Sequence, residues 1–224
     1  MVRIFAVLAL LAVLLLAANF AVGLGGGDFN AAAAKKRAAQ IRVFELERQL
    51  RAQRLRSSSE LEAARRELAV ADAAFASPRR WMTIHLLLGS AASLVAVLVN
   101  SITVTYFIGT SRWCKEVCAT YQLKSDLADR SIRLKRSTFP WALAGILSVI
   151  TIVGLGAAAD PSGANWSRST SLVRPHYVAA MVGLLVVVVS FWVQVNRIAE
   201  NYRVIEEILA AVRRIRGEKE LPVS

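Results

Sequence analysis

Beyond the N-terminal 30 residues, three long stretches of the chain carry no Lys, Arg, Asp or Glu: Trp81 to Gly109, Thr138 to Ala159 and Tyr177 to Asn196. Each is long enough to cross a hydrocarbon core about 30 Å thick, which takes about 20 residues of helix. A helix bundle in water would instead carry polar residues at helical spacing on its outer faces. None of the three blocks supplies them. A helix satisfies its own backbone groups where no water can, so the pattern predicts transmembrane helices over about 82–108, 139–159 and 177–196. Residues 1–24 add a fourth apolar run, Ile4 to Ala18 and then Phe20 to Leu24 around Asn19. Its length suits an anchor, while the lone Arg3 and the small residues Ala21-Val22-Gly23 also suit a cleavable signal peptide. The predicted fold class is therefore all-α: an integral membrane helical bundle of three transmembrane helices with an N-terminal anchor or signal segment and charged extramembrane helices.

Prolines and tryptophans mark the ends of these blocks. Ser77-Pro78, Phe139-Pro140 and Arg174-Pro175 read as helix starts, because proline is tolerated in a first turn. Trp81, Trp113, Trp141, Trp166 and Trp192 fall at or just beyond span ends, as an interfacial belt would. The pairs Gly89 with Ser93 and Ala179 with Gly183, and the row Gly145, Ser148, Thr151 and Gly154 or Ala158, offer small residues for close packing between spans.

Between the first run and the first long block lies a charged segment, 25–76, whose residues from about 31 to 76 are rich in Ala, Arg, Glu and Leu and free of Gly and Pro, a helical composition. Val43, Leu46, Leu50, Leu61, Ala64, Leu68, Ala71 and Phe75 follow the alternating three and four spacing of a coiled-coil seam. Around Arg56-Ser57-Ser58-Ser59-Glu60, Ser57 with Glu60 or Ser59 with Glu62 would form a capping box that opens a second helix. A straight helix of about 45 residues would reach about 68 Å and could not return to the membrane, so a hairpin or a helix lying along the surface is expected. The segment reads as a spacer or as a partner-binding coiled coil.

Two further helices are predicted beside the spans, at 110–137 and 197–217. On the second, Ile198, Tyr202, Ile205, Leu209 and Val212, with Val204, Ile208 and Ala211 beside them, form a wide apolar face. Such a face needs covering, by the 112–136 helix or by another copy.

The formal charge of +12 changes the picture little. Its Lys and Arg flank apolar spans, where they meet lipid phosphates, and no basic and aromatic binding motif points to nucleic acid. A raw count of basic residues ties between the two faces, but the short loops do not: residues 109–138 hold seven and 160–176 hold two. That puts 110–137 and the C-terminus in the cytoplasm and 25–76 outside, in a multi-pass protein of the cell membrane, the bacterial inner membrane being the expected one.

Candidate chemistry is sparse. Cys114 and Cys118 lie one turn apart, without a histidine nearby to complete a metal site. His85 and His176 begin spans two crossings apart and so share a membrane face, with Met82 and Met181 accompanying them. Imidazole with thioether suits copper or a haem iron, which makes these four the candidate metal ligands. Asn100 is the strongly polar side chain deep in a span, and Ser148 and Thr151 are the hydroxyls of a packing or pore face. No phosphate loop, nucleophile elbow or zinc helix motif is present, so neither an enzyme activity, a cofactor nor a small-molecule substrate is expected.

From residue 77 onward the order of elements is similar to that of the bacterial proton-channel proteins that energise outer-membrane transport. Both have a span inward, a cytoplasmic stretch, two spans joined by a short outer loop, and a long cytoplasmic helix. The likeness is one of topology. Ala144-Gly145-Ile146-Leu147-Ser148-Val149 stands in place of that family's Gly-Thr-rich stretch without matching it. The resemblance implies an ion-conducting or energising oligomer with Ser148, Thr151 and Asn100 towards its axis. The amphipathic surfaces and missing chemistry point first to a non-enzymatic scaffold or accessory subunit, bound to the bilayer and to a membrane-protein partner or copies of itself. A metal or haem protein built on His85 and His176 is the third expectation.

Overall fold

The computed structural model describes residues 2–163 and 166–218. Five helices account for almost all of them: α1 (Val2–Gly25), α2 (Phe29–Ala52), α3 (Ser59–Thr120), α4 (Ser125–Ala159) and α5 (Ser169–Glu218). Four of these, α1, α3, α4 and α5, are long and apolar enough to cross a membrane. The chain is thus all-helical and fits a multi-pass helical membrane protein. Its contacts divide into two compact units, one of Met1–Leu16, Ala92–Ile152 and Ala179–Ser224, the other of Ala17–Ala91 and Val153–Val178.

The three prolines do not start helices. Pro78, Pro140 and Pro175 lie inside α3, α4 and α5. The helices begin in the aqueous segments and run through, so each proline marks the mouth of a span, where water can reach the carbonyl that its missing N–H leaves unbonded. Nor is 110–137 a single helix. The first span continues as α3 to Thr120, and α4 starts at Ser125. Between them Gln122 takes a left-handed φ of 51°, Leu123 N–H donates to the Cys118 carbonyl at 2.9 Å and Gln122 N–H to that of Ala119 at 3.4 Å. This closure usually uses glycine, and without a glycine the sequence shows no break.

In the first unit, Phe5, Ala9 and Ala12 of α1 are buried in one cluster with Ala96, Val99 and Phe107 of α3, Val149 of α4 and Val187, Phe191 and Ile198 of α5. Small residues set the approach of the helices. A Cβ at Gly183 would stand 2.6 Å from the Ile152 side chain, so the small-residue face predicted on the last span does pack. Gly154 of the middle span meets nothing within 4 Å. Leu94, Leu98, Leu143, Leu147 and Leu185 remain exposed, as suits helices whose outer solvent is lipid. A second cluster joins Cys114, Cys118, Ala128, Val204 and Ile208. The apolar face of α5 is therefore covered from within the chain, but around Ile198, Val204 and Ile208, with Tyr202 and Leu209 left 43% and 39% exposed. Asn201, fully buried in the middle of that face, is what rotates it away from the purely apolar row.

The second unit holds an antiparallel helical hairpin. Gly27, at φ +68°, turns the chain out of α1, and Asp28 accepts a hydrogen bond from Ala31 N at 2.9 Å to open α2. α2 ends on Arg54, again left-handed at φ 59°, with Leu55 N–H donating to the Leu50 carbonyl at 2.9 Å. Ser58, rather than Ser57 or Ser59, caps α3, its Oγ accepting from Leu61 N at 3.1 Å; Ser57 Oγ instead donates to Glu62. Leu50, Leu61 and Ala64 of the predicted seam are buried, so the seam is used between the two arms of one chain. Lys36 with Asp72, Arg42 with Glu67 at 3.2 Å and Arg65 with Glu47 at 2.8 Å pair across the arms.

Candidate functional site

The first unit contains a continuous column of buried polar side chains among apolar helices. In a bilayer such groups must find partners on neighbouring helices, because lipid offers none. Gln194 of α5 stands at its centre. Its Nε2 donates to Asn100 Oδ1 on α3 at 2.9 Å and to Ser190 Oγ at 2.7 Å, and its Oε1 accepts from Thr103 Oγ1 at 2.6 Å. Asn100 Nδ2 donates to the Ala96 carbonyl at 2.8 Å, and Ser190 Oγ donates to the Trp141 carbonyl on α4 at 2.7 Å. Space for Asn100 comes from Gly145, where a Cβ would stand 2.8 Å from Oδ1.

Further along the helices Asn201 repeats the arrangement. Its Nδ2 donates to Thr110 Oγ1 at 3.0 Å and to the Tyr106 hydroxyl at 3.2 Å, while its Oδ1 accepts from Ser131 Oγ at 2.8 Å. Ser111 Oγ lies 3.3 Å from Ser131 Oγ and 3.5 Å from the Ser131 carbonyl. Among the described residues of this unit, no buried side-chain nitrogen or oxygen lacks a partner. A buried network of this kind, bonded across α3, α4 and α5, holds one register of the helices.

Asn100 was expected as the lone polar residue of the spans, and the structure gives it Gln194. Gln194 lies next to the charged end of its block, where the sequence pattern does not set it apart as a buried group. Thr151 does not join Asn100. It is exposed and donates to the Leu147 carbonyl of its own helix at 2.9 Å, while Ser148 is half-buried and faces Gly183. The cysteines belong to the second cluster, fully buried at Cys114 and 5% exposed at Cys118, and burial pushes both thiols up.

In the second unit His85 and His176 meet edge-on, with ring centroids 6.3 Å apart. Glycines make room for both. A Cβ at Gly23 would stand 3.0 Å from the His85 ring, and one at Gly156 would stand 3.0 Å from that of His176. His85 Nδ1 lies 3.1 Å from the Asn19 carbonyl, so it carries the proton and donates. Phe20 and Tyr177, next in sequence to Asn19 and His176, pack against each other with tilted rings and centroids 5.6 Å apart. The sequence placed these histidines on one face, and the fold brings them into contact. Of the two methionines proposed beside them, Met82 lies on His85's own helix and is half-buried, and Met181 is 49% exposed. Among the described residues no group of three or more His, Cys, Asp or Glu side chains converges.

The base of the hairpin is fastened to the loop after α4. Asn30 Nδ2 donates to the Ala159 carbonyl at 3.3 Å, Arg37 donates to the Pro161 carbonyl at 3.3 Å, and the Arg37 guanidinium lies 4.5 Å over the Trp166 ring. The Arg65 guanidinium beside Glu47 holds that carboxyl below its usual range. On the outside of the arms Ile41, Phe44 and Val70 are 47%, 65% and 72% exposed. No protein family, curated protein or solved structure matches the chain.

Proposed function

We propose that this protein is a non-enzymatic membrane scaffold or accessory subunit, anchored by its four apolar helices and acting through the hairpin of α2 and the first part of α3. The observation that carries this reading is the hairpin itself. About 20 residues of each arm, roughly 30 Å of helix, are locked to each other by cross-arm ion pairs and to the loop after α4 by Asn30 and Arg37. The seam is consumed internally, which leaves Ile41, Phe44 and Val70 along the arms and Leu55 at the turn as exposed apolar contact points. A rigid arm with exposed apolar side chains serves contact rather than chemistry. The polar column in the first unit agrees, since bonds across three helices fix their register.

In this reading α1 is kept as an anchor, because Phe5, Ala9 and Ala12 fill the cluster of the first unit. The basic short loop favours, in the same reading, an orientation with the α3–α4 turn and the C-terminus in the cytoplasm and the hairpin outside, the membrane proposed being a bacterial inner membrane. The hairpin's contact is with a membrane-protein partner or with further copies of the chain. Purified in mild detergent, the protein is expected to run as a homo-oligomer or a defined complex, and Phe44→Asp with Val70→Asp is expected to dissociate it. A bare monomer before substitution, or an assembly indifferent to both changes, refutes the reading. Cysteine labelling at residues 60 and 125 in intact cells tests the orientation, residue 60 alone being expected to react with an impermeant reagent.

A further inference from the structure

Where α4 enters its apolar block and α5 leaves its own, the two helices bound an open groove of about 470 Å³. Arg130, Arg133 and Ser137 line it from α4, Arg197 and Arg203 from α5, and Leu134 and Val204 contribute apolar surface. Glu200 is the single carboxylate in the lining, and it is held 2.8 Å from Arg197. Arg130 is paired with Glu207 on the facing helix, and Arg133 reaches Asp126 at 3.3 Å between two well-exposed side chains. Arg203 has no ion-pair partner among the described residues. The groove thus presents more guanidinium than carboxylate, in the fork geometry that suits phosphate oxygens.

Its depth and continuation say which phosphate. Ser137 and Arg197 directly flank the charge-free blocks 138–159 and 177–196, so the groove sits at the level of lipid headgroups. Arg197, Glu200 and Arg203 also line a neighbouring groove that runs on to Trp192 and Val193, and Trp192 is 69% exposed on the span surface. A basic pocket that continues onto an apolar, aromatic helix face matches a charged head joined to acyl chains; a free anion has no use for the second half. We propose that this groove is a binding site for an anionic glycerophospholipid, with the phosphate between Arg133 and Arg203 and an acyl chain along Trp192 and Val193.

The test is native mass spectrometry of the full chain in detergent, titrated with phosphatidylglycerol or with phosphatidylcholine of the same chains. Phosphatidylglycerol is expected to be retained preferentially, and Arg133→Gln with Arg203→Gln to weaken it about fivefold per arginine. Arg48→Gln with Arg56→Gln on the hairpin removes the same charge elsewhere and is expected to change nothing. Equal retention of the two lipids, or equal losses in the two double variants, overturns a specific site. Displacement of the lipid by millimolar inorganic phosphate assigns the groove to a free anion and overturns it too. Should the groove variant lose helix content, photoactivatable phosphatidylglycerol on the unmodified protein decides: adducts confined to 130–137 and 192–203 support the site, and adducts spread over all spans reject it.

Discussion

Replacing Gln194 with Leu tests whether the polar column holds the first unit together. The substitution removes three side-chain hydrogen bonds, but the neighbours do not suffer equally. Thr103 Oγ1 already lies 3.3 Å from the Val99 carbonyl and can turn back to it. Ser190 keeps its bond to the Trp141 carbonyl. Asn100 Nδ2 keeps Ala96, but Oδ1 loses its donor. One orphaned buried acceptor costs about 1–3 kcal/mol, and interhelical bonds in membrane proteins average about 0.6 and reach about 1.7 kcal/mol. The expected loss is therefore about 1–2 kcal/mol, carried mainly by the one orphaned acceptor rather than spread over three bonds. The diagnostic quantity is the coupling with Asn100→Ala, since once Asn100 is gone no acceptor is orphaned. The double variant should be more stable than the two losses predict by about 1 kcal/mol. Unfolding by sodium dodecyl sulfate in mixed micelles, followed by circular dichroism, measures all three variants. Additivity within about 0.3–0.5 kcal/mol, or a Gln194→Leu protein as stable as its parent, refutes the coupling.

Other expectations follow from single contacts. Gly145→Ala should destabilise by about 1–3 kcal/mol, because its Cβ would stand 2.8 Å from Asn100 Oδ1, whereas Gly154→Ala, with open space around it, should be neutral or stabilise by up to about 1 kcal/mol; the same denaturation ranks them. Gln122→Gly and Arg54→Gly should each stabilise by about 1 kcal/mol, since both positions hold left-handed backbone with a side chain attached. Glu47 has a folded pKa below its unfolded value, so its contribution is complete above the unfolded value and fades as pH falls through the folded one. Glu47→Gln should flatten that acid limb in a pH titration of hairpin stability. Cys114 and Cys118, buried and with raised thiol pKa values, should resist maleimide at neutral pH in the folded protein and react after denaturation; prompt labelling of either would contradict the packing of α3 on α4 and α5.

The spans were legible in the sequence because lipid imposes a one-dimensional rule: a charge-free block of about 20 residues must satisfy its own backbone and can do so as a helix. The break near Ser57 and the covering of the last helix's apolar face were legible for a similar reason, since caps and periodic apolar rows are local signals. The turn at Gln122 was not, because a left-handed residue other than glycine leaves no compositional mark. The prolines misled for a related reason: they mark where a helix meets the membrane surface, while the helix itself begins in water. What only the tertiary structure decided is which distant residues meet. Asn100 and Gln194 are 94 positions apart, and His85 and His176 lie on different helices. The sequence put each of them on a span, but helix rotation and the close approaches at Gly145, Gly23 and Gly156 determined their neighbours. Those rotations come from packing small residues and pairing polar ones in a solvent that offers no hydrogen bonds.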